Sequence, residues 1–266
     1  TIALDTWHLD IEKFLELQTE NGDQRTKAYD IYPQVVVSDL FMRKVENDEL
    51  WTLVDPYEVR MKYGVELCEL YGVEFEKMYF KLEDDENLTL KKVIRARELF
   101  KEIMKVQIET GMPYIFFKDS ANRMNHNQHM GMIGNGNLCM ESFSNFSPSK
   151  NYKEEAIDET GIRKVDLGIV HTCNLVSMNL AEISKEELEE ITSIAVRILD
   201  NTIDLTQTPI LESDRHNSLY RTIGVGTMGL ADYMAREFMI YEDSLDEIDK
   251  LYEEIALYTL KASALL

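Results

Sequence analysis

The run Tyr32-Pro33-Gln34-Val35-Val36-Val37-Ser38-Asp39-Leu40-Phe41-Met42-Arg43-Lys44-Val45 changes its period in the middle. Consecutive valines behind a proline favour a strand, Ser38 suits a helix cap, and Leu40, Phe41 and Val45 then recur at helical spacing. A strand over 32–37 that feeds a helix ending near Val45 is the unit of an α/β fold.

The same alternation extends outward in both directions. Ile2-Ala3-Leu4 predicts a strand, and Asp10 predicts the cap of a helix from Ile11 to about Thr19, with Gly22 just beyond it. Trp51-Thr52-Leu53-Val54 predicts a strand closed by Asp55-Pro56. Asn87-Leu88-Thr89 then opens the longest predicted helix, with Val93, Ile94, Arg97, Phe100, Ile103 and Met104 in helical period up to Gly111 and Pro113. Tyr114 to Phe117 predicts a buried strand, Asn122 to Gly136 a loop, and Ser142 to Thr160 a surface excursion. Leu167-Gly168-Ile169-Val170 predicts a strand leading into His171-Thr172-Cys173. Ser184-Lys185-Glu186-Glu187 is a capping box for a helix to about Thr202, and Thr222 to Met234 predicts a glycine-bearing turn into a helix. Strands alternating with helices give α/β architecture with parallel strands, expected as one domain over 1–266 forming part of a barrel or open sheet.

Composition narrows the function classes. A chain of 266 residues with 44% hydrophobic content has material for a substantial core, and its net charge of −21 argues against a long nucleic acid as partner. It contains no apolar run of about 18 residues and no basic leader, so a soluble, cytoplasmic protein without membrane partners is expected. Three cysteines, Cys68, Cys139 and Cys173, do not make a secreted disulfide framework. The chain opens on an apolar run without Met and stops inside a helical pattern at Leu265-Leu266, from which a piece of a longer protein is expected.

The chemistry centres on Gly136-Asn137-Leu138-Cys139-Met140-Glu141. Read as a strand, it points Asn137, Cys139 and Glu141 to one face and Leu138 and Met140 to the other. That would aim a thiol between a hydrogen-bonding amide and a base. Taken alone, the run also fits a half-exposed strand with an inert buried cysteine. Cys173, at the predicted end of a strand, is a second thiol with redox potential, whereas Cys68 reads as structural. His126 and His129, with Cys139, His171 and Cys173, offer a rival zinc centre in a structural or binding module, although the cysteine spacing is poor for one and no metal is expected. Gly224-x-Gly226-x-x-Gly229 lacks the strand and acidic residue of a dinucleotide fingerprint and reads as helix-entry packing.

The stretch Asn137-Leu138-Cys139-Met140-Glu141 resembles the catalytic Asn-x-Cys-x-Glu segment of the large subunit of ribonucleotide reductase. Asp5-Thr6-Trp7-His8-Leu9-Asp10-Ile11-Glu12, Asn21-Gly22-Asp23, Asp39-Leu40-Phe41-Met42, Thr172-Cys173-Asn174-Leu175 and Gly226-Thr227-Met228-Gly229-Leu230-Ala231 resemble the same family in the same order. The resemblance implies a portion of a ten-stranded α/β barrel with the reactive cysteine on a finger loop. It also implies reduction of ribonucleotides, diphosphates above all, to 2′-deoxyribonucleotides for DNA synthesis.

On that resemblance, Cys139 carries the thiyl radical, Glu141 is the general base, Asn137 positions the sugar, Leu138 belongs to the same substrate-binding stretch, and Cys173 is one of two reducing cysteines. Trp7-His8-Leu9-Asp10 is more similar to the oxygen-dependent class I enzymes, whose radical comes from a metal-containing small subunit. A cobalamin-dependent class II relative stays open. Further implied partners are thioredoxin or glutaredoxin and the remaining segments of the large subunit. ATP and deoxynucleotide effectors, the second reducing cysteine, the diphosphate loop and the relay tyrosines are all expected outside residues 1–266, so the segment is expected to be inactive alone.

Overall fold

The computed structural model describes residues 1–151 and 165–266, which gather into two compact units, Thr1–Ser147 and Pro148–Leu266. In the first unit the chain runs β1 (Ile2–Asp5), α1 (Ile11–Leu15), β2 (Pro33–Val37), α2 (Asp39–Glu46), β3 (Leu50–Val54), α3 (Pro56–Tyr63), α4 (Gly72–Asp84), β4 (Lys91–Arg95), α5 (Ala96–Thr110), β5 (Tyr114–Phe117) and α6 (Lys118–Arg123). Strands β1, β2 and β5 form a parallel sheet in the order β1-β2-β5, with Leu4 opposite Val35 and Val36 opposite Phe116.

Every residue of β2 is buried, as a parallel strand covered on both faces requires. Val35 and Val37 face a core built with Ile11, Phe14, Phe41, Trp51, Tyr79, Leu99 and Ile103, largely from the surrounding helices. Val36 and Phe116 face the other way, onto Ile133, Ala3, Ala121 and Met140. The loop carrying Met140 therefore packs on the sheet face opposite this main core.

Local chemistry sets these boundaries. The Ser38 hydroxyl accepts the Phe41 N–H at 3.1 Å and opens α2, while the Asp55 carboxylate accepts the Glu58 N–H at 2.8 Å and opens α3 behind Pro56. Gly111 ends α5 in the left-handed conformation at φ 79°. Asp119, almost fully buried, accepts the first N–H of α2 from Asp39 and the first N–H of α4 from Gly72, both at 2.7 Å, and so fixes two helix N-termini at the carboxyl end of β5.

In the second unit the order is β6 (Lys150–Asn151), β7 (Val165–Asp166), β8 (Leu175–Asn179), α7 (Leu188–Leu205), α8 (Leu211–Tyr220), β9 (Gly224–Met228), α9 (Leu230–Arg236) and α10 (Leu245–Leu265). Strands β8 and β9 are parallel and lie against α7 and α10 through Met178, Leu180, Leu188, Ala195, Leu251 and Ile255.

Five sequence expectations are corrected. Residues 91–95 are not the start of a helix: the β-branched Val93 and Ile94 pair antiparallel with Thr52 and Trp51, and the helix begins at Ala96. Residues 224–228 are a strand rather than a turn, because Asn179 to Leu175 supplies a parallel partner. No strand spans Leu167–Val170, so Cys173 precedes β8 instead of ending a strand. The helix after Asp10 is α1 continued by a short 3-10 turn to Gln18, and the Asp10 side chain makes no cap. The Ser184 and Glu187 side chains do pair, at 2.6 Å, but in the turn before α7. The predicted surface excursion lies in part, over 152–160, outside the described residues.

Candidate active site

Residues 137–142 form a tight turn and not a strand. Met140 has φ 62°, a left-handed conformation that an extended run does not contain, so the strict two-face alternation is lost. Two of the three groups, Asn137 and Glu141, are nevertheless brought together by another route. The Asn137 Nδ2 donates to Glu141 Oε1 at 2.6 Å, and the Asn137 Oδ1 accepts the Ser142 N–H at 3.0 Å. Backbone bonds from Asn137 N–H to Ser142 O, at 3.4 Å, and from Met140 N–H to Asn137 O, at 3.3 Å, close the turn. Amide and carboxylate thus stand together at its base, and Cys139, between them in sequence, is exposed at its tip.

Packing explains why this sequence turns here. Met140 folds back into the small cluster of Val36, Phe116 and Ile133, and the Phe143 ring meets Phe116 edge-on at 5.4 Å. A Cβ on the buried Gly136 would lie 2.6 Å from Met140 Sδ and 2.9 Å from the Phe143 ring. Any larger residue would force these two side chains to shift. Leu138, expected to pack beside Met140, is instead 43% exposed.

Cys173 lies in the second unit and is exposed. The residues on either side of it are anchored to α8: the Thr172 hydroxyl donates to Asn217 Oδ1 at 2.8 Å, and Asn174 Nδ2 donates to the same oxygen at 3.2 Å and to Thr222 O at 3.1 Å. Beneath them His216, fully buried, stacks on Tyr220 and meets the His171 ring edge-on, both at 4.9 Å. Burial, with His171 adding to it, holds the His216 imidazole down at about 4. Among the described residues, no three His, Cys, Asp or Glu side chains gather as metal ligands. No helix among them is long and apolar enough to cross a membrane.

Sequence reading missed Gln34, whose buried amide bonds to the backbone of Gly136 and Asn137, and Asn217, which holds the Cys173 segment. The signal for Gln34 was present: a lone polar residue in a valine strand must have a specific partner. Asn217 carried none, since the polar run 211–220 has no apolar periodicity that would mark a buried face.

A family model described as ribonucleotide reductase, barrel domain, matches residues 1–266. The chain is 51% identical over 265 residues to the ribonucleoside-diphosphate reductase subunit alpha of Synechocystis, covering 99% of this chain and 32% of that protein. It is 35% identical over 303 residues to the protein of the same name from Helicobacter pylori, covering 99% and 38%. With that of Treponema pallidum it shares 37% over 274 residues, covering 98% and 32%. The chain therefore spans about a third of the length of these relatives.

Proposed function

The chain belongs to the ribonucleotide reductase barrel-domain family, and from that membership we propose that it contributes the chemical centre for reducing ribonucleoside diphosphates to deoxyribonucleotides. The observation that carries the reading is the turn itself: an exposed thiol at Cys139 flanked by an amide and a carboxylate held 2.6 Å apart. A ribose needs those three groups at once. The Cys139 sulfur, as a thiyl radical, takes the 3′ hydrogen atom, Glu141 removes the 3′ hydroxyl proton, and Asn137 bonds the sugar hydroxyls and orients it.

The 2′ hydroxyl then leaves as water with a proton from a thiol. Cys173 and a second thiol supply two electrons and close to a disulfide, and Cys139 returns its hydrogen to the 3′ carbon. The second thiol, the nucleotide effector sites and the loop that holds the diphosphate come from other segments of the large subunit. The radical is supplied by a metal-containing small subunit or, in a class II arrangement, by cobalamin, with the Trp7-His8-Leu9-Asp10 segment favouring the first. Thioredoxin or glutaredoxin re-reduces the disulfide.

The test is Cys139→Ser in the complete enzyme. Turnover is expected to be lost while nucleotide binding, measured by equilibrium dialysis, stays within about threefold of wild type, because the interaction removed acts in the reaction and not in the ground state. Substantial retained turnover refutes the assignment.

A further inference from the structure

We propose that Gln34 is a positioning residue for the Cys139 turn, holding the thiol in register with the sheet through hydrogen bonds to the turn's backbone. The proposal rests on the reading of Cys139 as the reacting thiol.

Gln34 is fully buried in β2, on the face shared with Val36 and opposite the one shared by Val35 and Val37. Its amide head makes three bonds to residues about a hundred positions away. Nε2 donates to Gly136 O at 3.3 Å and to Asn137 O at 3.1 Å, and Oε1 accepts the Gly136 N–H at 3.0 Å. The head therefore acts as an added length of strand edge, with donors and an acceptor in one plane. Neither a carboxylate, which lacks the donors, nor an ammonium, which lacks the acceptor, reproduces it. Burial makes the contact obligatory on both sides, since an unpaired amide or peptide group here would be costly.

Two further features tie this contact to the thiol. Gly136 and Asn137 begin the turn, and Asn137 is bonded to Glu141 and Ser142, so fixing those two residues fixes the rest. Asn122, also fully buried, grips the chain just upstream: its Oδ1 accepts the Ile133 N–H at 2.9 Å and its Nδ2 donates to Ile133 O at 2.8 Å. Ile133 is thus held by α6 and Gly136 by β2, which anchors the chain at two points on its approach to Cys139.

The experiment substitutes Gln34→Met, similar in length but without polar atoms, in the complete enzyme, with Gln34→Glu as a second variant that keeps the acceptor and loses the donors. Hydrogen exchange read by mass spectrometry is expected to rise at least about tenfold in peptides covering 133–142 and to stay unchanged in β1 and β5. Turnover is expected to fall at least about tenfold with nucleotide affinity within about threefold, since a misplaced group costs the reaction more than binding. Unchanged exchange in the turn overturns the proposal, as does raised exchange with full turnover, or exchange raised equally in the strands. Failure of the underlying reading is distinguishable: Cys139→Ser would then stay active whatever the Gln34 variants do.

Discussion

Gly136 leaves little room for a side chain where the turn begins. A methyl group there meets Met140 Sδ at 2.6 Å and the Phe143 ring at 2.9 Å, and both side chains belong to the packing that seats the turn. Gly136→Ala is expected to lower turnover at least about tenfold while costing only about 1–2 kcal/mol of stability, because flexible local side chains rather than the sheet must yield. Steady-state kinetics alongside urea unfolding checks this, and a variant with wild-type turnover contradicts it. At the same scale the sequence was partly legible. Spacing singled out Asn137, Cys139 and Glu141 on the premise of a strand, but the turn that brings Asn137 to Glu141 could not be read, because a left-handed Met140 and a bond to Gln34 leave no mark in the local pattern.

Among the elements, β1, β2, β3 and β5 were readable because β-branched or aromatic runs ended at clear signals such as Ser38 and Asp55-Pro56. β4 and β9 were not. Val93 and Ile94 continue the period of α5 upstream, and Gly224 to Met228 is too rich in glycine to read as a strand, so only their partners decide them. In α8 the decisive feature is electrical. His216 is held at about 4, below the ordinary value of 6.5, so the fold refuses a proton that the unfolded chain accepts between those values. Stability from this group is complete above about pH 6.5 and is lost as pH falls toward 4, by up to about 3 kcal/mol. His216→Phe keeps a ring on Tyr220 and removes the titration, so denaturant unfolding at pH 7 and pH 5 is expected to show a smaller loss for the variant. Equal losses would exclude His216 as the source.

For the whole molecule, the decisive facts are a high acidic charge and a parallel sheet left open. In the order β1-β2-β5, strands β1 and β5 each have one side without a strand partner among the described residues, and Ile108, Leu205 and Leu260 are largely exposed. Open edges and apolar surface favour association even in a chain of net charge −21. Residues 1–266 expressed alone are therefore expected to elute as oligomers or aggregates in size-exclusion chromatography with light scattering, and a monodisperse monomer would contradict this. Parallel architecture was legible in the alternation of elements; the barrel was not, since closure depends on strand number and register that no local pattern encodes.

The turn at 137–142 is stitched by its own hydrogen bonds and docked on the sheet by the Gln34 head and by Met140 packing against Val36, Phe116 and Ile133. A loop of that kind is portable. Its shape travels with the short run from Gly136 to Phe143, and its placement demands one glutamine and an apolar seat on the same strand face, so an unrelated parallel α/β scaffold could be given a presented thiol with a nearby carboxylate by grafting the turn, that glutamine and that seat together.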